Sequence, residues 1–300
     1  MAKEKNTSHI IKKLFLASCF DEIKADKPGN VSINSPIIGL KYQKFFRAAE
    51  ITASVISNNN YSLGEVIFKS CYRCMNELNS NYNLGIILLC APIVRVATRK
   101  PSEENILRSN LGKEIKSIGE KDAQLIFNAI KLCKPAGLKN YKGVGNLTID
   151  IKEIDFKKII EFSSEWDRIS RAYNNNYKEI FSIGLPFLKR LKKKFSTKFS
   201  IECVYLNYLA LDLDSHIQRK FGKEKAQSIS NKSSQILKTI LLKENSKSRD
   251  LISNFDNYLK RRKINPGTCA DLTVTTLLID KITDIVSFSD LKKNKVRNYC

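Results

Sequence analysis

The chain has 300 residues, and 42% of them are apolar, which is enough to fill a substantial core. It contains only 12 glycines and 7 prolines, which excludes an all-β meander because such a fold needs a turn about every eight to twelve residues. The formal net charge is +22 at pH 7, which allows a polyanionic partner such as nucleic acid, an anionic membrane surface or a multiply phosphorylated metabolite.

Apolar residues recur at helical spacing through the first half of the chain, and turn-forming residues separate the runs. The turn Lys27-Pro28-Gly29-Asn30 ends the first predicted helix, because proline fixes φ and glycine can take a positive φ. The segment Lys134-Pro135-Ala136-Gly137 stops the last one. The predicted helices of this half cover residues 9–23, 42–57, 62–78, 84–96 and 121–133.

The second half begins with residues 137–150, where three glycines and the lack of a helical period predict a mobile loop. One amphipathic helix is predicted over 159–173 and another over 203–217. Residues 222–249 are polar and helical, which predicts a surface hairpin arm, and the last helix is predicted over 269–287. No repeat, linker or domain boundary interrupts the pattern. The sequence therefore predicts an all-α fold in which residues 1–300 form a single multi-helix globular domain.

The eight cysteines do not indicate a disulfide framework, because a chain of this size has enough apolar residues for a core. Cys71 and Cys74 form a single C-x-x-C without the second pair or the histidines that a zinc site needs. The apolar run before Cys19 is shorter than the ~7–15 residues of a signal-peptide core, and no segment approaches the ~20 residues of a membrane span. We therefore expect reduced thiols and a cytoplasmic protein that contacts no membrane.

The lysines are spread along the chain rather than gathered into one stripe. The chain is also rich in Lys, Asn and Ile, whose codons are AT-rich, so composition explains much of the charge. The densest basic run has no neighbouring RNA-binding signature and is typical of a solvated helix face. It consists of Lys189, Arg190, Lys192, Lys193, Lys194 and Lys198.

Four short segments place polar residues where a predicted helix begins or ends. Taken singly, each has an ordinary structural explanation. Thr268 and Asp271, for example, have the spacing of a capping box, whereas Asp214 and Lys220 are compatible with a solvated helix face. The segments are Glu22 with Lys27-Pro28-Gly29-Asn30, then Asn81-Tyr82-Asn83-Leu84-Gly85, then Asp214-Ser215-His216-Ile217 with Arg219-Lys220, and finally Asn265-Pro266-Gly267-Thr268-Cys269-Ala270-Asp271-Leu272.

Taken together and in this order, the four segments resemble those of the triphosphoribosyl-dephospho-CoA synthase family. That family has an early Lys-Pro-Gly segment preceded by a glutamate, an Asn-Thr-Asn-Leu-Gly segment that opens an apolar helix, an Asp-[Ser/Thr] segment followed by Arg-Lys or Arg-Gly, and a late Pro-Gly-[Thr/Gly]-x-Ala-Asp-Leu. The resemblance covers residues 15–285. Weaker agreement occurs at Phe45 with Ala48-Ala49, at Asp122-Ala123, and at Trp166-Asp167-Arg168-Ile169 with Arg171 and Tyr173.

Two segments depart from the family pattern. Tyr82 stands where the family has a threonine between two asparagines, and the usual Pro-Gly-Gly-Leu-Gly reads Pro135-Ala136-Gly137-Leu138-Lys139. These departures indicate a divergent branch of the family.

The resemblance implies a transferase in which the 2′-hydroxyl of dephospho-CoA attacks the anomeric carbon of the ATP ribose and adenine leaves. Such a reaction passes through an oxocarbenium-like state that carboxylates stabilise, and the triphosphate calls for Mg²⁺ and cationic side chains. Glu22, Asp214 and Asp271 are the implied catalytic carboxylates and Mg²⁺ ligands. The implied nucleotide-binding residues are Lys27, Gly29, Asn30, Asn81, Asn83, Gly85, Ser215, Arg219, Lys220, Gly267 and Thr268.

These residues are expected to converge on one concave site, although Glu22 and Asp271 are far apart in the sequence. Lys27, Arg219 and Lys220 would neutralise phosphates, and the helix after Gly267 would offer free N–H groups to an anion. We expect Asp214 to be the residue whose loss damages turnover most.

Two other functions remain open. A divergent member could use ATP as a phosphoryl donor or build another phosphorylated one-carbon cofactor, and it would then release ADP rather than adenine. A basic helical RNA-binding protein is the alternative from another class, although the acidic residues in the four segments make nucleic acid an unexpected partner. The sequence leaves the acceptor and the oligomeric state open.

Overall fold

The computed structural model describes residues 2–37, 39–135 and 155–297, and it is built from helices throughout these ranges. The only β-type pairing among the described residues is an isolated bridge between Ile37 and Leu40. The all-α prediction is therefore confirmed. The predicted mobile loop over 137–150 lies outside the described residues.

The helices of the first half have the bounds that the periodicity predicts to within a few residues, except that α1 begins earlier and α5 was not predicted. They are α1 (Ala2–Lys24), α2 (Tyr42–Ile56), α3 (Leu63–Leu78), α4 (Leu84–Arg99), α5 (Glu104–Lys116) and α6 (Glu120–Cys133).

The second half contains more and shorter helices than the periodicity predicts, and a π-helical turn at Ile180–Gly184 precedes α9. The helices are α7 (Phe156–Ser163), α8 (Arg168–Asn174), α9 (Leu185–Leu191), α10 (Thr197–Leu211), α11 (Ser215–Phe221), α12 (Lys223–Ile240), α13 (Ser246–Arg261) and α14 (Gly267–Arg297).

Two predicted helices are wrong because each is divided in two by an aspartate. The helix predicted over 159–173 breaks where Asp167 caps α8, its carboxylate accepting the Ser170 N–H at 3.0 Å. The helix predicted over 203–217 breaks where Asp214 caps α11. A capping aspartate needs an extended backbone conformation and so cannot sit inside a continuous helix. Apolar residues keep a helical spacing across both breaks, which is why periodicity missed them.

The hairpin arm predicted over 222–249 contains α12 and the start of α13, which form a helical hairpin, but it does not project from the protein. α12 packs on α10, where Ser230 and Ser233 donate hydrogen bonds to the carbonyls of Ala210 and Leu206. The prediction of an arm is wrong because the small side chains of Ser230 and Ser233 let the α12 backbone lie close to α10.

The core is centred on α4, whose side chains are buried on nearly every face from Leu84 to Thr98. One contiguous apolar cluster joins α4 to helices from both halves of the chain, including α1, α10 and α14. That continuity favours a single domain over residues 1–300, which stays a prediction. In the described ranges no helix has both the length and the apolar character needed to cross a bilayer.

Candidate active site

A pocket of about 630 Å³ opens where the end of α1 meets the starts of α4, α11 and α14. Helices α6, α7 and α8 line its apolar side, where the ring centroids of Phe127 and Phe156 are 5.8 Å apart and those of Phe156 and Tyr173 are 6.5 Å apart. The other side is polar. It is lined by Glu22, Asn30, Asn81, Asn83, Gly85, Asp167, His216, Arg219, Asn265, Gly267, Thr268 and Asp271.

The closest approach within the polar side joins the first turns of α4 and α14. Gly85 faces Asp271 so closely that a Cβ atom on Gly85 would lie 2.0 Å from Oδ2 of Asp271. Only glycine leaves room for this carboxylate. Burial raises the pKa of Asp271 well above its usual value, and the nearby carboxylates of Glu22 and Asp214 raise it further.

Glu22 lies on the last turn of α1 and is buried, with its Oε1 atom 3.3 Å from Nζ of Lys27. Burial raises the pKa of Glu22, and the ammonium of Lys27 opposes that rise. The Lys27 ammonium also donates to the backbone carbonyls of Glu22, Ala25 and Val31, at 2.7, 3.2 and 2.9 Å. It is 1% exposed and does not line the pocket. The structure therefore places Lys27 where it supports Glu22 and the turn after α1, and its contact with phosphate stays a prediction.

Asp214 also has a role different from the predicted one. Its Oδ1 atom accepts the N–H of Ile217 at 3.0 Å, and Oδ2 accepts the N–H of Cys269 at 2.9 Å. The carboxylate thus caps α11 and the first turn of α14 at once, is 1% exposed, and lies outside the pocket lining. Both of its oxygens accept backbone N–H groups, so the structure does not bring Asp214 to the pocket, and its role as a catalytic residue and Mg²⁺ ligand stays a prediction. It also takes one of the N–H groups expected to meet an external anion.

Three asparagines predicted to bind the nucleotide line the pocket and are held by hydrogen bonds. Asn81 accepts the N–H of Leu84 at 3.1 Å, which fixes the start of α4. Asn83 donates to Thr52 at 2.8 Å. Asn30 donates to the Asn265 side chain at 2.8 Å, which joins the first and last of the four segments.

Of the other predicted residues, Gly267, Thr268 and Arg219 lie in the pocket wall, and Arg219 donates to Asp167 at 2.7 Å. Gly29 and Lys220 do not line it.

Gly29 and Ser215 have structural roles instead. Gly29 takes a φ of 79° and donates to Asp256 at 2.7 Å. Ser215 is fully buried, and its hydroxyl accepts the N–H of Arg168 at 2.9 Å. Neither residue lines the pocket, and their role as nucleotide contacts stays a prediction.

Comparison with known proteins decides the family. Residues 8–289 match the family described as CitG, ATP:dephospho-CoA triphosphoribosyl transferase. This chain belongs to that family. It is accordingly a transferase, and the reaction of its family consumes ATP and dephospho-CoA. No protein of curated function matches the sequence significantly.

A crystal structure supports the family fold. It is of an Archaeoglobus fulgidus protein provisionally named a triphosphoribosyl-dephospho-CoA synthase. The TM-score is 0.62 at 18% identity, and the match covers 81% of this chain and 99% of that protein. At this identity the likeness concerns the fold.

Three residues on the polar side of the pocket, Asp167, His216 and Asn265, were not predicted as site residues. Asp167 lies in the segment Trp166-Asp167-Arg168-Ile169, whose agreement with the family pattern is weak. That weak agreement was the one sequence signal that could have pointed to Asp167 and its ion pair with Arg219. His216 lies between the predicted Ser215 and Arg219, with its Nδ1 atom 3.0 Å from where a Cβ on Gly267 would be. Burial lowers the pKa of His216, against the effect of Asp214, so the imidazole is held towards its neutral form.

The predicted set of three Mg²⁺ ligands does not assemble. Within the described ranges no group of three or more His, Cys, Asp or Glu side chains has the geometry to hold a metal ion. Glu22 and Asp271 share the pocket, but Asp214 is turned away into the two helix caps.

Proposed function

We propose that the polar side of this pocket is the active site and that this chain transfers the triphosphoribosyl group of ATP to the 2′-hydroxyl of dephospho-CoA. The observation that carries the proposal is the meeting of Glu22, Gly85 and Asp271, which come from three of the four family segments. Gly85 has no side chain at the one point where the Asp271 carboxylate needs the space.

In this reaction the hydroxyl oxygen bonds to the anomeric carbon, the bond from that carbon to adenine breaks, and adenine takes the bonding electrons together with one proton, which balances the proton that the hydroxyl loses. The ribose carries positive charge in between, which the carboxylates of Glu22 and Asp271 stabilise at close range in a partly dry site. His216 lines the same side and accepts the hydroxyl proton, since a neutral imidazole has one free nitrogen lone pair.

Mg²⁺ fits the residues of this site. Mg²⁺ is usually held by one or two carboxylates together with substrate phosphates, and Glu22 and Asp271 supply such a pair. Burial and then the neighbouring carboxylates raise the pKa of Asp271, so a cation at this place would favour its charged form. Glu22 and Asp271 would hold the ion, and the ion would offset charge on the triphosphate.

The test is to incubate the protein with ATP, Mg²⁺ and dephospho-CoA and to separate the products by chromatography. We expect free adenine and a new adduct of dephospho-CoA. An acceptor that lacks the 2′-hydroxyl is the matched control and should release no adenine. Release of ADP would favour the alternative in which ATP is a phosphoryl donor, and salt-sensitive retention on RNA without any turnover would favour the RNA-binding alternative.

We also propose that the protein acts in the cytoplasm. The seven cysteines of the described residues are buried and unpaired, as expected in a reducing compartment. The C-x-x-C pair is part of this core: Cys71 is fully buried, and the sulfur of Cys74 is 3.5 Å from the Thr52 hydroxyl.

A further inference from the structure

The charged residues of the pocket do not match the charge of its substrates. The acidic lining residues are Glu22, Asp167 and Asp271, and the basic ones are Lys134 and Arg219. Arg219 is already paired with Asp167. A triphosphate and the diphosphate of dephospho-CoA are both polyanions, and without Mg²⁺ the side chains of this wall carry a net negative charge that repels them. Positive charge for the phosphates must therefore come partly from outside the pocket.

Six exposed cations lie at the end of α11, on α12 and around the end of α13, and we call them the basic rim. Two of them flank residues of the pocket wall: Lys220 follows Arg219 directly, and Lys263 is two positions before Asn265, so its Cα is within about 7 Å of that residue. The basic rim consists of Lys220, Lys223, Lys232, Arg261, Arg262 and Lys263.

The hairpin of α12 and α13 brings the rim together, because the start of α12 and the end of α13 lie at the same end of it. Lys232 of α12 and Arg262 after α13 both stack on Tyr258, with Nζ and Cζ at 3.8 and 4.0 Å from the ring centroid. Among the described residues none of the six forms an ion pair. The aromatic ring thus holds two cations close together without a carboxylate between them.

We propose that the basic rim binds the phosphate chain of a nucleotide substrate whose ribose lies in the pocket. This inference rests on the proposed function and names the residues that give the site its affinity for phosphate. Arginine suits the role because its planar guanidinium can donate two parallel hydrogen bonds to a phosphate. Since the rim is exposed, salt screens its attraction, and phosphate binding should weaken as ionic strength rises.

The test compares two triple charge reversals that change the net charge equally. The rim variant carries Arg261→Glu, Arg262→Glu and Lys263→Glu. The control carries Arg190→Glu, Lys193→Glu and Lys194→Glu, in exposed positions on and after α9 that do not line the pocket. Calorimetry measures the binding of inorganic tripolyphosphate to each full-length protein.

At low salt we expect the rim variant to bind tripolyphosphate at least about tenfold more weakly than the unmodified protein, and the control to bind within about threefold. The difference in tripolyphosphate affinity between the rim variant and the unmodified protein should shrink at about 0.5 M salt, where the Debye length falls to a few Å. If the rim reversal unfolds, the corresponding Gln substitutions replace it, with an expected weakening of about threefold.

An equal loss in both variants, or no loss in either, overturns the proposal. So does a rim variant that loses binding to single-stranded RNA while keeping tripolyphosphate affinity, which would make the surface a nucleic-acid site. Tripolyphosphate binding does not depend on the transfer reaction, so the proposed function and the proposed role of the basic rim can each fail without the other. A protein that shows the rim effect but never releases adenine would refute only the proposed reaction.

Discussion

The contact between Gly85 and Asp271 gives the sharpest test of the active site. In Gly85→Ala the new Cβ would lie 2.0 Å from Oδ2 and 2.5 Å from Cγ of Asp271, whereas non-bonded carbon atoms prefer about 3.5 Å or more. The carboxylate must therefore move by on the order of 1 Å. Displacing a reacting group by that much can lower turnover about 10²-fold.

The same substitution should affect folding much less than turnover. Overpacking one methyl group costs about 1–3 kcal/mol, and movement of a half-buried side chain beside a pocket relieves part of that strain. We expect adenine release to fall at least about 10²-fold while thermal unfolding shifts by only a few degrees. Both are measured on the same preparation, by chromatography and by circular dichroism.

Two other glycines provide matched controls. A Cβ on Gly119 would meet nothing within 4 Å, so Gly119→Ala should leave turnover unchanged, and because Gly119 is the N-cap of α6 it should lower stability by at most about 1 kcal/mol. A Cβ on Gly64 would lie 2.6 Å from the Cα of Asp122, away from the pocket, so Gly64→Ala should lower stability and spare turnover by the folded protein. Full activity in Gly85→Ala would refute the assignment of Asp271 to the reaction. A loss of activity that only tracks unfolding would give the contact a structural role.

Three further predictions follow from the buried charges. Asp214→Asn should lower the free energy of unfolding by about 1–3 kcal/mol, because an amide can keep only one of its two backbone N–H partners; an unchanged unfolding curve would contradict the double cap. Lys27→Met should destabilise by about 3–5 kcal/mol, because Glu22 would stay buried without its cation, and Glu22→Gln added to it should restore part of the loss; denaturant unfolding of the single and double variants measures both. Asp271→Asn should abolish adenine release yet stabilise the Mg²⁺-free protein at neutral pH. Because the pKa of Asp271 is raised in the folded state, the unmodified protein loses stability relative to this variant as pH rises above the ordinary aspartate pKa of about 3.9. The stabilities of the two proteins should therefore differ more at pH 7 than at pH 3, and an equal difference at both pH values would contradict the prediction.

The sequence determined the helical class and most of the helix bounds in the first half, because helical periodicity is a local property of the chain. It failed at 159–173 and 203–217 for a local reason as well. An aspartate such as Asp167 or Asp214 is compatible with a helix surface and with a helix cap, and apolar spacing does not distinguish the two.

The four family segments also identified most of the polar side of the pocket, including Glu22, Asn83, Gly85 and Asp271. Only the tertiary structure decided which of their polar groups remain available to a substrate. Lys27 and Asp214 are taken up by backbone partners, and for Asp214 one of these partners lies 55 positions away in α14. The availability of a carboxylate or ammonium depends on the donors, acceptors and burial that packing brings to it, and these come from helices distant in the chain.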